Sequence, residues 1–104
     1  MGFFNNIFSG SNNQNLANLV NEGAFLVDVR SSDEFAEGNV KKSTNIPLDQ
    51  VSSNLDKFKG KEKIVVFCRS GNRSGLAKAI LEQNGFTNVT NGGTWQNVNE
   101  VINK

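Results

Sequence analysis

Residues 64–75 read Ile-Val-Val-Phe-Cys-Arg-Ser-Gly-Asn-Arg-Ser-Gly and combine a strand, a loop and the start of a helix. The apolar, mostly β-branched run that ends at Cys68 is typical of a buried strand. A polar loop with two of the chain's three arginines follows, and a helical pattern then runs from Leu76 to Asn84. This order predicts a thiol at the C-terminal end of a strand, just ahead of a helix N-terminus.

This position favours ionisation of the Cys68 thiol. Backbone N–H groups converge ahead of a helix N-terminus, and the helix dipole stabilises negative charge there. Arg69 and Arg73 add two positive charges to the same loop. Because the thiolate is the nucleophilic form of cysteine, we expect Cys68 to carry covalent chemistry. The alternative for a lone cysteine is a buried and unreactive thiol.

The composition restricts the fold and the chemistry. A chain of 104 residues with a net charge of +1 suits one domain and has no overall attraction to nucleic acid. With one cysteine and no histidine, an intrachain disulfide is impossible, and we expect neither a metal nor a cofactor. A free thiol favours a reducing compartment, so we expect a cytoplasmic protein.

We expect residues 1–104 to form a single domain, with residues 1–13 as an N-terminal extension to which the sequence assigns no role. The extension contains several apolar side chains but is too short to span a bilayer. Its apolar residues are compatible with packing on the domain, pairing with another copy or contact with a membrane surface, and of these we expect packing on the domain.

Strand-like and helix-like segments alternate along the rest of the chain. Residues 24–29 are a nearly continuous apolar run, and Ser31 with Glu34 fits the capping box of a helix that ends at Gly38. The other expected strands are residues 43–46 and 87–90, with a turn at 91–93, and the other expected helices are 16–22, 48–55 and 95–102. The pattern predicts a parallel sheet with helices on both sides, where ligands bind at the carboxyl ends of strands.

Six short motifs occur in a characteristic order between residues 14 and 98. They are Leu26-Val27-Asp28-Val29-Arg30, Asp33-Glu34-Phe35, Gly38, Asn45-Ile46-Pro47-Leu48, Cys68-Arg69-Ser70-Gly71-Asn72-Arg73-Ser74 and Asn91-Gly92-Gly93. Together they resemble a single-domain rhodanese, a sulfurtransferase. The resemblance implies a three-layer α/β/α domain around a five-stranded, mainly parallel sheet.

The resemblance also implies a sulfur transfer through Cys68. The thiolate would take a sulfane sulfur from thiosulfate or a persulfide donor, and cyanide or a thiol would then remove it from the resulting persulfide. The implied partners are these small molecules or a sulfur-carrier protein. The sequence leaves the oligomeric state open, and we expect a monomer. The loop that would cradle the persulfide consists of Arg69, Ser70, Gly71, Asn72, Arg73 and Ser74.

Four charged residues have expected roles in this site. Arg69 follows the nucleophile directly, so it would contact the sulfonate end of thiosulfate. Arg73 would serve the same anion or pair with a carboxylate to hold the loop. Asp28 and Arg30 lie at the end of another strand, where we expect them to support the mouth of the site rather than to touch substrate.

The chain departs from the family pattern in one segment. The family often carries Gly-His-Ile-Pro-Gly-Ala where this chain has Gly38-Asn39-Val40-Lys41-Lys42-Ser43. The changes at Asn39, Lys41 and Lys42 bear on the preference for an acceptor or partner more than on sulfur transfer.

Two other functions are compatible with a cysteine in this loop. A cysteine-dependent phosphatase or arsenate reductase needs five residues between cysteine and arginine, whereas four separate Cys68 from Arg73. A non-catalytic rhodanese-like module that binds a partner or senses redox state usually lacks the cysteine, which this chain retains.

Overall fold

The computed structural model describes residues 14–103, so the expected extension at residues 1–13 lies outside the described residues, as does residue 104. The strands are β1 (Phe25–Asp28), β2 (Thr44–Asn45), β3 (Ile64–Cys68) and β4 (Val89–Thr94). The helices are α1 (14–21), α2 (Ser32–Glu37), α3 (Asn72–Gln83) and α4 (Trp95–Ile102). Two short 3-10 segments cover Leu48–Gln50 and Leu55–Phe58.

The four strands form one sheet in the order β2-β1-β3-β4, and every neighbouring pair is parallel. The prediction of a parallel α/β sheet is therefore confirmed. The expected fifth strand is wrong for the part of the chain that the structure describes. Residues 14–21 ahead of β1 are helical, and the connection between β2 and β3 contains 3-10 segments and turns rather than a strand, so neither segment extends the sheet.

The sheet has a separate apolar core on each face, because successive side chains of a strand point to opposite sides. The core on the α3 side includes Val27, Val29, Ile64, Val66, Ala77 and Leu81. The core on the α1 and α4 side includes Leu16, Leu26, Val65, Phe67 and Val98. All five residues of β3 are buried, as expected of a strand covered on both sides. This is the three-layer arrangement that the sequence predicts.

Helix α2 begins and ends where its sequence signals predict. The Ser31 hydroxyl accepts the Glu34 N–H at 3.3 Å, and the Glu34 carboxylate accepts the Ser31 N–H at 3.0 Å. These two bonds are the reciprocal capping box, and Gly38 follows the last turn. The capping box places α2 directly after the carboxyl end of β1.

Two predictions about helices are wrong in detail. Residues 48–55 do not form one helix, because a turn at 51–53 separates the two 3-10 segments. This turn lets Val51 and Phe58 both reach the core. In α3, the sequence pattern predicts that Leu76, Ala77, Ile80 and Leu81 form the buried apolar face. Leu76 is instead 58% exposed, and the buried residues of this helix are Ser74, Ala77 and Leu81.

Within residues 14–103, Lys42 is the one residue other than glycine with a left-handed backbone, with φ of +70°. It stands at a position where rhodaneses often carry glycine, which adopts this conformation without steric cost. Lys42 therefore adopts a backbone conformation that favours glycine. No helix of the described residues is long and apolar enough to cross a bilayer.

Strand β4 continues through residues 91–93, where the sequence predicted a turn. Val66 pairs with Asn91 and Phe67 pairs with Gly93, so Gly92 is an additional residue that forms a bulge. A Cβ on Gly92 would lie 2.9 Å from Val65 Cγ1 and 3.1 Å from Val98 Cγ2. The strand can therefore continue to Thr94, beside Cys68, because residue 92 has no side chain.

Replacing Gly92 with alanine is expected to lower the free energy of unfolding by about 1–3 kcal/mol, because the added methyl group overlaps core atoms. Denaturant unfolding measures this change. Gly75→Ala is the matched control, since a Cβ there would lie at 3.6 Å from Asn91 Nδ2, an ordinary contact. Alanine favours a helix by up to about 1 kcal/mol, so this control should not be destabilised. Equal losses in both variants would contradict the packing role of Gly92.

Candidate active site

The sulfur of Cys68 accepts main-chain hydrogen bonds at the N-terminus of α3. Sγ accepts the Gly71 N–H at 3.0 Å and the Ser74 N–H at 3.4 Å. Gly71 is the N-cap residue, with φ of +95° and no side chain that could accept a first-turn N–H. An N-cap side-chain oxygen usually accepts the N–H of the second or third helical residue. In this helix the sulfur of Cys68 takes that place, with Ser74 as the third residue.

The polar surroundings of Cys68 determine whether the pKa of its thiol lies above or below the ordinary value. The residue is fully buried, and this desolvation raises the pKa of the thiol. The Ser74 hydroxyl at 3.5 Å and the N–H groups of Ser74, Ser70 and Gly71 act in the opposite direction and together outweigh it, so the pKa lies below its ordinary value. A cysteine in apolar surroundings has a raised pKa. The donors around Cys68 therefore favour a reactive thiol over the alternative of a buried and unreactive thiol.

The sulfur of Cys68 is not accessible to solvent. Cys68 has no exposed surface, although Arg69 and Ser70, which follow it, are both exposed. A molecule in solution can therefore reach Sγ only when residues around it move.

Arg73 is held by Glu34 of α2 in a bidentate ion pair. Its Nη1 and Nη2 donate to the two carboxylate oxygens at 2.7 Å and 3.0 Å. The bond to Arg73, with that to the Ser31 N–H, lowers the pKa of Glu34 to about 2. Of the two roles expected for Arg73, the contacts correspond to pairing with a carboxylate, which ties the first turn of α3 to α2.

Arg69 lines a pocket of about 240 Å³ between α2 and α4. The other lining residues are Arg30, Glu34, Glu37, Gly38, Trp95 and Gln96. Among the carboxylates of residues 14–103, none forms an ion pair with Arg69. The Arg69 guanidinium is therefore available to an anion in this pocket, whereas that of Arg73 is not.

Asp28 and Arg30 form a buried ion pair at the carboxyl end of β1, with Nη2 to Oδ2 at 2.7 Å. The remaining donors of Arg30 reach the carbonyl oxygens of Glu34 at 3.3 Å and Gly38 at 2.7 Å. Its guanidinium also lies over the Trp95 ring, 4.6 Å from the centroid. Arg30 thus joins β1, α2 and α4 beside the Arg69 pocket, and its contacts are those of a supporting residue.

The six loop residues differ in how they relate to the sulfur. Gly71 and Ser74 donate to Sγ, and the Ser70 N–H also lowers its pKa. The Arg69 side chain instead lines the pocket between α2 and α4, and the Arg73 side chain binds Glu34. Asn72 is exposed at the first position of α3. The structure thus brings part of the expected cradle to the thiol and directs the rest elsewhere.

Asn91 of β4 contacts this loop, and sequence reasoning did not include it in the site. Its Oδ1 accepts the Ser74 hydroxyl at 2.7 Å and the Gly93 N–H at 2.9 Å, and its Nδ2 donates to the Gly71 carbonyl at 3.2 Å. The predicted turn at 91–93 concealed this position. The signal that could have found it is a polar residue at the carboxyl end of a strand, where parallel sheets place site residues.

Comparison with known proteins identifies the family. The family model described as Rhodanese-like domain matches residues 12–94. The chain belongs to this family. A protein of Allochromatium vinosum named sulfurtransferase is 34% identical over 87 residues, which cover 84% of this chain and 79% of that protein. Thiosulfate sulfurtransferase PspE of Escherichia coli is 35% identical over 72 residues, covering 64% of this chain and 66% of that protein.

A solved structure agrees with this assignment. The human single-domain sulfurtransferase TSTD1 superimposes with a TM-score of 0.72 and 30% identity, over 84% of this chain and 91% of that one. The three-layer fold is therefore the rhodanese fold. Some other curated relatives are longer than this chain, which spans between half and three fifths of their length.

The Glu34–Arg73 ion pair is expected to stabilise the fold in an acid-sensitive way. The folded-state pKa of Glu34, about 2, lies below its ordinary value of 4.5. The stabilisation is therefore complete above about pH 4.5 and is lost as the pH falls towards 2. Because the two side chains are 35% and 24% exposed, solvent screening limits it to about 1 kcal/mol or less.

Denaturant unfolding of Glu34→Gln across this pH range tests the expectation. Glutamine retains an acceptor for the capping box and removes the charge, so the acid-dependent loss of stability should become smaller. Glu37→Gln, on the same helix and outside any ion pair of residues 14–103, should follow the original protein. An unchanged pH dependence in Glu34→Gln would show that the pair contributes nothing measurable.

Proposed function

We propose that this domain transfers a sulfane sulfur through a persulfide on Cys68. Thiosulfate or a persulfide is the donor, and cyanide or a thiol, small or carried by a protein, is the acceptor. The observation that supports this most is the position of Sγ as the acceptor of N–H groups at the N-terminus of α3. Family membership and relatives named sulfurtransferase support the same reaction.

The proposed first step is attack of the Cys68 thiolate on the outer sulfur of thiosulfate. A bond from Sγ to this sulfur forms, the sulfur–sulfur bond of thiosulfate breaks, and sulfite leaves with the electron pair. In the second step the acceptor attacks the terminal sulfur, and Cys68 leaves as a thiolate. With cyanide as acceptor neither step transfers a proton, so the reaction needs no acid or base side chain, which suits a chain without histidine.

The loop would stabilise sulfur anions in both steps. The Gly71 and Ser74 N–H groups favour the thiolate as nucleophile and as leaving group, while Arg69 would bind the sulfonate end of thiosulfate from its pocket. Arg73, through Glu34, would hold the loop in place. Ser70 and Asn72 would supply further main-chain N–H groups to the persulfide.

Asp28 and Arg30 would support the site from β1 without touching substrate, in keeping with their burial and their protein partners.

The proposed compartment is the cytoplasm, because a reducing compartment maintains the thiol. The proposed oligomeric state is a monomer.

A phosphatase or arsenate reductase is disfavoured by the contacts of Arg73. An oxyanion in the loop would need this guanidinium, which Glu34 already occupies. A non-catalytic module that binds a partner or senses redox state is favoured by one observation, the absence of exposed surface on Cys68. Exposure of the protein to thiosulfate distinguishes this module from a sulfurtransferase.

Mass spectrometry after incubation with thiosulfate should show the addition of one sulfur atom to Cys68, removed again by cyanide. Cys68→Ser should lose this addition and all transfer activity while keeping the fold, because serine has a similar volume and its hydroxyl does not ionise near neutral pH. Circular dichroism of both proteins controls for folding. No sulfur on the original protein would instead support the non-catalytic module.

Arg69→Ala is expected to raise the KM for thiosulfate by about tenfold, the effect of losing a hydrogen bond to a charged group, with a smaller change in kcat. Steady-state kinetics with varied thiosulfate measure both parameters. Lys59→Ala, which removes an exposed positive charge from the loop before the amino end of β3, is the matched control and should leave the KM unchanged. If Arg69→Ala has the KM of the original protein, Arg69 does not bind the donor.

A further inference from the structure

The Ser74 hydroxyl has one hydrogen and three neighbouring acceptors. Its Oγ lies 2.7 Å from Asn91 Oδ1, 3.1 Å from the Gly71 carbonyl oxygen and 3.5 Å from Cys68 Sγ. A hydroxyl donates one hydrogen bond at a time. Because Ser74 is fully buried, the three acceptors compete for this single hydrogen.

The competition reduces to Asn91 and Cys68. The Gly71 carbonyl already accepts the Gly75 N–H at 3.0 Å and Asn91 Nδ2 at 3.2 Å, so it does not depend on Ser74. The orientation of the Asn91 amide is determined by the same contacts. Its oxygen must face the Gly93 N–H, and its nitrogen must face the Gly71 carbonyl.

We propose that Asn91 is a positioning residue for sulfur transfer, which holds the Ser74 hydrogen when the Cys68 sulfur is neutral and releases it when that sulfur is a thiolate. This inference rests on the function proposed above. The shorter contact, to Asn91, is the better bond to a neutral partner, whereas a hydrogen bond to an ionised acceptor is roughly twice as strong. The charge on Sγ therefore decides which acceptor receives the hydrogen.

The hydrogen would move twice in one catalytic cycle. In the thiolate it is donated to Sγ. Once a sulfur atom is added, the negative charge lies on the terminal sulfur, Sγ becomes a neutral and weak acceptor, and the hydrogen returns to Asn91. When the acceptor removes the terminal sulfur, the charge reappears on Sγ and the hydrogen follows. Only hydrogen bonds change in these movements, and Ser74 keeps its proton throughout.

Among residues 14–103, no charged side chain forms a hydrogen bond to Cys68 Sγ. Arg73 of α3 is bound by Glu34 of α2, and Arg30 is bound by Asp28 after β1. Strand β4 supplies no titratable side chain, and Arg69 lines the pocket between α2 and α4. The Ser74 hydroxyl is thus the one side-chain donor to Sγ among the hydrogen bonds of residues 14–103.

Titration of Cys68 in a double-mutant cycle tests the proposal. The chain has one cysteine and no tyrosine, so the change in ultraviolet absorbance with pH reports the Cys68 thiolate without interference. Asn91→Ala should increase the thiolate fraction below the midpoint by about threefold, the effect of a modest hydrogen bond gained by Sγ. Ser74→Ala should decrease it. In the Ser74→Ala background, Asn91→Ala should have no further effect.

Two further variants control this experiment. Asn88→Ala removes an asparagine just before β4 whose amide contacts the Lys61 and Glu62 carbonyls, and it should leave the titration unchanged. If Asn91→Ala fails to fold, Asn91→Asp keeps the acceptor and should decrease the thiolate fraction by more in the original protein than in Ser74→Ala. Equal effects of a change at residue 91 in both backgrounds, or no effect in either, would overturn the proposal.

The titration needs no sulfur donor, so its result is independent of the proposed reaction. Two results together support the inference. The titration shows coupling between residues 74 and 91, and in single-turnover experiments at saturating thiosulfate the Asn91→Ala variant takes up sulfur on Cys68 more slowly than the original protein. Transfer without coupling overturns the role of Asn91 and leaves the proposed function intact. Coupling without any sulfur uptake overturns the proposed function, and with it the part that Asn91 would play in a cycle.

Discussion

The arrangement of the site depends on one interaction, the acceptance of main-chain N–H groups by the sulfur of Cys68. Burial of the thiol at the end of β3 opposes ionisation, and the donors of the following loop reverse that effect. These donors point inward because Gly71 adopts a left-handed backbone and has no side chain to cap α3. The strand, the glycine and the first turn of the helix therefore form a single unit around one atom.

The neighbouring strand keeps this unit in place. Gly92 allows β4 to pass between Val65 and Val98 with a bulge, which brings Asn91 against the loop beside the sulfur. Arg73 of the same loop is anchored to Glu34. Residues 71–74 are thus held from β4 and from α2, while Arg69 and Ser70, which precede these anchors, are exposed.

The sequence is informative wherever one local signal decides the structure. The apolar run before Cys68 and the capping box of Ser31 and Glu34 each predict an element that the structure contains. The path of β4 could not be predicted, because Asn-Gly-Gly is a strong turn signal and pairing with β3, a strand distant in sequence, keeps it extended. The proposed positioning role of Asn91 depends on this path of β4. The bond between Arg73 and Glu34 joins residues far apart in sequence, so spacing alone left its partner open.

In the proposed transfer Cys68 both attacks and leaves, and these two steps have opposing requirements that the Ser74 hydroxyl would help to meet. Strong stabilisation of the thiolate would make Cys68 a good leaving group but would lower its intrinsic nucleophilicity, since reactivity falls as the pKa falls. The main-chain N–H groups cannot adjust, because their positions are set by the backbone of α3. A hydroxyl with a second acceptor can, because its hydrogen is free to follow the charge. Asn91 supplies that second acceptor without adding a charge of its own beside the sulfur.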